Sequence, residues 1–342
     1  PEGRFVVAEC DGAVRGFGRL AMHTPTDGWL EGLRVDSSFR RHGVARAIAR
    51  RLLEEAKDVG AKSLRFATSC DNIESIALNE SLDFVRVGGF RHFYCDPEPL
   101  PAVIQAAKSR ADGLAALPRN ARVTEIEVER IHSLGPCAPF TLATQGSATV
   151  AGARGMLPSG FVFYPASAHF IAEMAKRGCA FAAHGSDGRR AVLLMDTSSE
   201  MWPEAGELVI SVLEGDYALC WAVLSHAFDE MSKHGMRSVS GCVPCGGMVA
   251  SILKEIGFEM WHEDIPPDMP TVLLYEYPPE LLGKIETSSR KKDGASGRNS
   301  VIAGEHVFYR TQGGLWRHGQ NRCLLWPHLR RMPGIPGHSG RR

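Results

Sequence analysis

The chain has 342 residues, 44% hydrophobic and 23% charged, which excludes a wholly disordered, collagenous or coiled-coil protein. The length is about twice that of a usual domain, so two domains are expected. Formal net charge is zero, but residues 284–342 hold 12 Lys or Arg and 3 Asp or Glu, leaving 27 basic and 36 acidic side chains in residues 1–283. An acidic body is balanced by a basic tail.

Nine cysteines (Cys10, Cys70, Cys95, Cys137, Cys179, Cys220, Cys242, Cys245 and Cys323) follow no framework spacing. That odd count predicts reduced thiols and a cytoplasmic setting rather than a disulfide scaffold. No apolar run approaches the roughly 20 residues of a membrane helix, so no membrane partner is expected.

Phe5 to Cys10 reads as a strand, Asp11-Gly12 as a tight turn, and Val14 to Met22 as the returning strand of a hairpin. Trp29 to Val35 reads as a third strand. Val44, Ile48, Leu52, Leu53, Ala56 and Val59 recur at helical spacing, and Gly60 is placed to end that helix. A strand at 63–68, a short helix at 73–81 and a strand at 84–94 follow, so strand and helix alternate as in an α/β (α+β) unit. Residues 96–120, with Pro97, Pro99, Pro101 and Pro118, read as a linker.

The second half then repeats the first. Asp11-Gly12 recurs as Asp187-Gly188, Ala47 as Ala222, Glu55 as Glu230, Gly60 as Gly235, Ser63 as Ser238, Cys70 as Cys245 and Phe84 as Phe258. The near-constant offset predicts two copies of one unit. Ahead of its Asp-Gly turn the second copy has a further strand near Val123–Val128 and a helix near Ala166–Lys176, whereas the first copy has ten residues there, as if N-terminally truncated. The expected organisation is a first domain over 1–98, a linker over 99–119, a second domain over 120–283 and a disordered basic tail over 284–342. The tail is the only feature that suggests nucleic acid, so that partner is not expected.

The chemically informative segment is Arg40-Arg41-His42-Gly43-Val44-Ala45, between a strand ending at Val35 and a helix beginning at Val44. Unpaired N–H groups at a helix start form an anion site. Gly43 admits close approach of an anion to the backbone, Ala45 keeps the first turn small, and Arg40, Arg41 and Arg46 supply positive charge. The corresponding stretch of the second copy, Gly215 to Cys220, has lost the arginines and carries Asp216, the wrong charge for phosphate.

This arrangement resembles the GNAT superfamily of acyl-CoA-dependent N-acetyltransferases, which carry [Q/R]-x-x-G-x-[G/A] between a strand and a helix. Arg40, Gly43 and Ala45 match that motif, Leu33-Arg34-Val35-Asp36 looks like the preceding strand end, and Asn72, Ser75, Leu82 and Phe84 fit the family's later N-x-x-[A/S] and [L/I]-x-F positions. The resemblance covers residues 5–94, and the second copy follows the same element order as a degenerate, tandem unit. It implies a mixed twisted sheet flanked by helices. It further implies acetyl-CoA as co-substrate, its pyrophosphate on the amides of Arg41, His42, Gly43, Val44 and Ala45, its pantetheine arm along Leu33, Arg34 and Val35, and Asn72 and Ser75 nearby. An amine of unidentified structure then accepts the acetyl group by direct attack, with no metal and with Glu31 as the proton-accepting base.

Two positions depart from the family pattern. Asn79 stands where many members place a Tyr that protonates the leaving thiolate, and Asp83 stands where Gly usually precedes the Phe. Asn cannot be a general acid, so water, Tyr94 or His92 is left for that role, or the protein binds acetyl-CoA without turning it over. The Cys242-x-x-Cys245 pair reads as buried thiols rather than a zinc or redox site, and His262, Glu263 and Asp264 read as a hairpin or loop.

Overall fold

The computed structural model describes residues 3–10, 12–115, 126–131, 147–177, 179–196, 206–285, 308–310 and 316–318. It divides into two compact units, one of residues 1–62 and 280–342, the other of residues 63–279.

In the first unit, β1 (Gly3–Cys10), β2 (Ala13–Met22) and β3 (Asp27–Val35) form an antiparallel meander. The β1–β2 turn pairs Cys10 with Ala13, and Gly12 has φ +73°, a conformation glycine adopts without a Cβ clash. Helix α1 (Val44–Asp58) follows and buries Val44, Ile48, Ala49, Leu52, Leu53 and Ala56, one stripe at helical spacing. Two glycines on β2 permit this packing: a Cβ on Gly16 would stand 2.9 Å from Ile48 Cδ1, and one on Gly18 would stand 2.9 Å from Leu52 Cδ1. At the far end of α1, Glu55 is 2% exposed and paired with both Arg4 of β1 and Arg51.

The second unit holds β4 (Ser63–Ser69), α2 (Ile73–Glu80), β5 (Val85–Cys95), α3 (Leu100–Ala115), β6 (Ile126–Ile131), α4 (Ala148–Gly152), β7 (Met156–Ser159), β8 (Val162–Pro165), α5 (Ala168–Lys176), β9 (Ala180–Gly185), β10 (Arg190–Asp196), β11 (Glu207–Gly215), α6 (Tyr217–Lys233), β12 (Ser238–Pro244), α7 (Met248–Glu255), β13 (Glu259–Met260) and β14 (Val272–Tyr277). Its sheet runs β4-β14-β5-β12-β11-β10-β9-β6. β11 and β12 are parallel and the other pairs antiparallel, so the sheet is mixed, and helices flank it. The run Ala191–Met195 shows why both faces are covered. Ala191, Leu193 and Met195 enter one core with α3, α6 and α7, while Val192 and Leu194 enter a second core with α4 and α5. Alternate residues of a strand face opposite sides, so a continuous apolar strand needs a layer on each.

The duplication is visible element by element: β4, α2 and β5 of the first copy correspond to β12, α7 and β13 of the second. Gly60 and Gly235, which end the paired helices, have φ +78° and +84°, and Asp83 and Gly257, each just before a Phe, have φ +69° and +95°. The position where Asp83 replaces the usual Gly is thus a left-handed one, which Asp tolerates better than most residues.

The two copies interlock within the second unit. β14, at the end of the second copy, lies between β4 and β5 of the first, and β5 in turn pairs with β12 and β13 of the second. The compact division therefore falls inside the first copy, after residue 62, and not at the expected linker. That linker is itself structured over Leu100–Ala115. Leu100, Val103 and Ala107 of α3 are buried in the core shared with α6, and this packing outweighs Pro97, Pro99 and Pro101, which stand at or before the first turn. Two short strands lie within the basic tail. β15 (Phe308–Arg310) pairs with β1 through Phe5 and Phe308, and β16 (Trp316–His318) pairs with β15. Strand addition uses backbone N–H and C=O groups, which a composition-based reading of side chains does not register. The rest of the tail, together with residues 123–125 of the expected strand, lies outside the described residues.

Candidate functional site

The anion loop is built from the end of β3 onward. Asp36 caps the short turn Ser37–Phe39, accepting from the Ser38 hydroxyl at 2.7 Å and amide at 3.0 Å, and it pairs with Arg15 at 3.2 Å. Those Ser38 bonds hold its carboxyl below the ordinary aspartate range. The Arg15 guanidinium also lies over the Phe39 ring at 4.3 Å, tying the loop to β2. Arg41 then has φ +65° and Gly43 φ +82°, with His42 between them held by its Nδ1 at 2.8 Å from the Arg40 carbonyl. Left-handed residues alternating with others turn successive amides toward one side, the concave arrangement that receives anions.

Helix α1 starts immediately after, and its N-cap, Gly43, supplies no side-chain hydrogen bond to the first-turn amides. A Cβ at Gly43 would meet nothing within 4 Å. Arg40, Arg41, His42 and Gly43 are exposed, Ala45 and Arg46 half-buried, and Val44 buried. The amide cradle therefore opens outward with two arginines beside it.

The second copy makes the opposite choice. Asp216 caps α6, accepting from the amides of Ala218 at 3.0 Å and Leu219 at 3.3 Å, and Arg189 neutralises it at 2.9 Å. A carboxylate of the protein itself holds the amides that an anion would use. The charge argument from sequence thus has a structural counterpart.

The remaining expected site residues divide. Glu31 stands opposite Arg19 on β2, and its Oε1 lies 2.5 Å from that guanidinium. Leu33, Arg34 and Val35 form the end of β3, with Arg34 bonded to the Leu33 carbonyl. Asn72 and Ser75 lie in the second unit, where Asn72 caps α2 by accepting from the Ser75 amide at 3.2 Å. Asn79 is 6% exposed and donates back to the Ser75 carbonyl at 2.8 Å. Tyr94 donates to Glu259 at 2.8 Å, and burial together with that bond pushes its pKa up to about 12. Burial among aromatic rings lowers His92 to about 4. Burial raises the Cys242 and Cys245 thiols, the reverse of what redox or zinc chemistry needs, and all seven described cysteines are free.

Residues 1–84 match the Acetyltransferase (GNAT) family. That match covers about a quarter of the chain. The matched segment contains the β3–loop–α1 unit with its outward-facing amides. No curated protein matches by sequence. Among solved structures, the chain is similar to a GCN5-related N-acetyltransferase from Sphaerobacter thermophilus at 14% identity, covering 79% of this chain and 79% of that one with a TM-score of 0.48. It is similar to a tandem GNAT protein from the clavulanic acid biosynthesis pathway at 15% identity, covering 79% and 81% with a TM-score of 0.45. For a GCN5-related N-acetyltransferase from Kribbella flavida the values are 15% identity, 80% and 59% coverage and a TM-score of 0.36, so the chain spans under two thirds of that protein.

Proposed function

We propose that the protein is an N-acetyltransferase that moves an acetyl group from acetyl-CoA to a primary amine of a small molecule, peptide or protein, with binding of acetyl-CoA assigned to the first copy. The observation that carries this reading is the contrast between two equivalent helix starts. Gly43 leaves the amides of α1 uncapped beside Arg40 and Arg41, whereas Asp216 occupies those of α6. Open amides, an aligned helix dipole and adjacent guanidinium groups suit a pyrophosphate. The second copy then has a supporting role.

Acetyl-CoA supplies the activated thioester. In this reading the amides of Arg41 to Ala45 hold its pyrophosphate, Arg46 adds charge, and Leu33 to Val35 align the arm. Asn72 and Ser75, already bonded to one another, fix the start of α2. An ammonium acceptor must lose a proton before nitrogen is nucleophilic, and Glu31 is the proposed acceptor of that proton. Its pairing with Arg19 orients the carboxylate. No helix among the described residues is long and apolar enough to cross a membrane.

A specific observation favours a second reading, an acetyl-CoA-binding protein without turnover. The residue in the thiolate-protonating position, Asn79, is buried and bonded into its own helix, and the Tyr94 hydroxyl is held by Glu259. Two measurements separate the readings. Acetyl-CoA at 100 times its Kd should stabilise the protein by about 2.7 kcal/mol in thermal unfolding, and free CoA should then appear when a panel of amines is added. Absence of stabilisation rejects both readings; stabilisation without CoA release with any amine selects the second. Arg41→Glu should abolish the stabilisation, and an unchanged response overturns the placement of the pyrophosphate.

A further inference from the structure

The register of the central strands carries the duplication further than the order of elements does. In the first copy β4 and β5 flank β14, which runs antiparallel to both: Tyr275 stands opposite Phe66 and Arg86, and Glu276 opposite Arg65 and Val85. In the second copy β12 and β13 flank the C-terminal half of β5 in the same way. Phe93 stands opposite Gly241 and Met260, and Tyr94 opposite Ser240 and Glu259.

The repeat fixes which of these positions correspond. Ser63 recurs as Ser238 and Phe84 as Phe258, so Arg65 and Phe66 match Ser240 and Gly241, and Val85 and Arg86 match Glu259 and Met260. Tyr275 is therefore equivalent to Phe93, and Glu276 to Tyr94, whichever flanking strand serves for the comparison. The match extends along both strands, because Ser69 faces Val272 as Pro244 faces Phe90, and Leu64 faces Tyr277 as Val239 faces Cys95. Each copy thus supplies the strand that closes the other.

A strand seated between two others satisfies N–H and C=O groups on both of its edges, so either copy without it would hold an open slot lined by unpaired donors and acceptors. The side chains follow the backbone. Val272, Leu274 and Tyr275 are at most 1% exposed, as are Phe90, Phe93 and Cys95. β5 passes from its own copy into the other just after Gly88 and Gly89. A Cβ on Gly89 would stand 2.8 Å from the Cβ of Pro270, shortly before β14, so this glycine lets the two exchanging segments approach.

We propose that the two copies form a strand-exchanged dimer within one chain, in which the slot of each copy takes the closing strand of the other and continuity of the chain between α3 and β6 is dispensable. Pairing within the second unit carries this assembly, and acetyl transfer plays no part in it. The degenerate copy is kept because the first cannot close its sheet alone.

The test places a recognition site for a site-specific protease between Asn120 and Ala121 of the full chain and cuts the folded protein. Fragments 1–120 and 121–342 should co-elute in gel filtration in about 1 M NaCl, since ladder bonds and apolar burial are not long-range charge interactions. They should also unfold in a single urea transition. Tyr275→Ala in the cut protein should weaken their association by roughly 100-fold. Fragments that separate in native buffer, or an association unchanged by Tyr275→Ala, overturn the proposal. Native-state hydrogen exchange of the unmodified chain keeps the question decidable where the inserted site prevents folding. Amides of β4, β5, β12 and β14 should then exchange through one common opening, and an easier opening of β14 that leaves β4 and β5 protected overturns the exchange. None of these measurements involves acetyl-CoA, so a failure here leaves the acetyltransferase reading standing.

Discussion

Introducing a carboxylate at the start of α1 tests whether its uncapped amides receive an anion. In Gly43→Asp the new Cβ meets nothing within 4 Å, so the only structural cost is backbone. The φ of +82° disfavours side chains by about 1 kcal/mol, less for Asp than for most residues. If the backbone keeps that conformation, the carboxylate stands at the positive end of the helix and repels the bound pyrophosphate. For charges about 4 Å apart the repulsion is about 1 kcal/mol in water and about 4 kcal/mol at a protein surface. If the backbone instead relaxes to the extended conformation of Asp216, with φ −66° and ψ 138°, the carboxylate takes first-turn amides as it does in α6. Both routes remove anion affinity, and about 3 kcal/mol corresponds to a loss of roughly 100-fold. Gly43→Ala is the control: it carries the backbone cost without the charge and should weaken acetyl-CoA binding only a few-fold. Titration calorimetry with acetyl-CoA gives the affinities and thermal unfolding gives the stability change. An affinity for Gly43→Asp within three-fold of that of Gly43→Ala would refute the assignment of the loop.

Three further outcomes follow from the packing and the site. Tyr275 of β14 is 1% exposed, stacks on Phe66 at 5.1 Å and donates to Glu80 at 2.8 Å, so Tyr275→Ala should lower stability by about 3–5 kcal/mol in urea unfolding; a loss below 1 kcal/mol would contradict the role of β14 in joining the copies. Glu55→Ala removes the buried carboxylate that Arg4 and Arg51 share while Arg51 keeps Glu54, and should cost about 1.5–3 kcal/mol, whereas an effect under 0.5 kcal/mol would show the cluster to be solvated. His92 is held at about 4 against an ordinary 6.5, so the unfolded chain binds the extra proton first; its contribution is present above pH 6.5 and is lost as pH falls toward 4, by at most about 3 kcal/mol. Urea midpoints at pH 7 and pH 4.5 should therefore diverge less in His92→Phe than in the parent, and an equal divergence would remove His92 from the account.

Local elements were legible because their signals are local. Helical spacing from Val44 to Val59, the Asp11-Gly12 turn and Gly60 each act within a few residues, and the observed β1, β2, β3, α1, β4, α2 and β5 agree with the expected boundaries to within two residues. The repeat was legible because duplicated positions keep their backbone needs, as Gly60 and Gly235 or Asp83 and Gly257 show. The candidate loop was readable for the same reason: a glycine, a small residue and arginines at a strand-to-helix junction lie within seven consecutive residues, 40–46.

What lay beyond the sequence depends on partners distant in the chain. Nothing in Val272–Tyr277 identifies β4 and β5 as its neighbours, since any apolar strand presents the same backbone donors and acceptors, and the choice is made by side-chain packing such as Tyr275 on Phe66. The helix at 100–115 was hidden behind its prolines because its stability comes from contact with α6. The ion pair of Glu31 with Arg19 needed the β2–β3 register, and the aromatic face around His92 needed three segments that the chain separates by some 170 residues, from 92 through 161 to 261. The amino-acid order alone determined the elements, the duplication and which copy places a glycine and arginines rather than an aspartate at its strand-to-helix junction, all of them consequences of short-range backbone and charge preferences. Tertiary structure decided the strand order, the interlocking of the copies and the ion-paired state of Glu31, because these depend on which surfaces meet once the chain has collapsed.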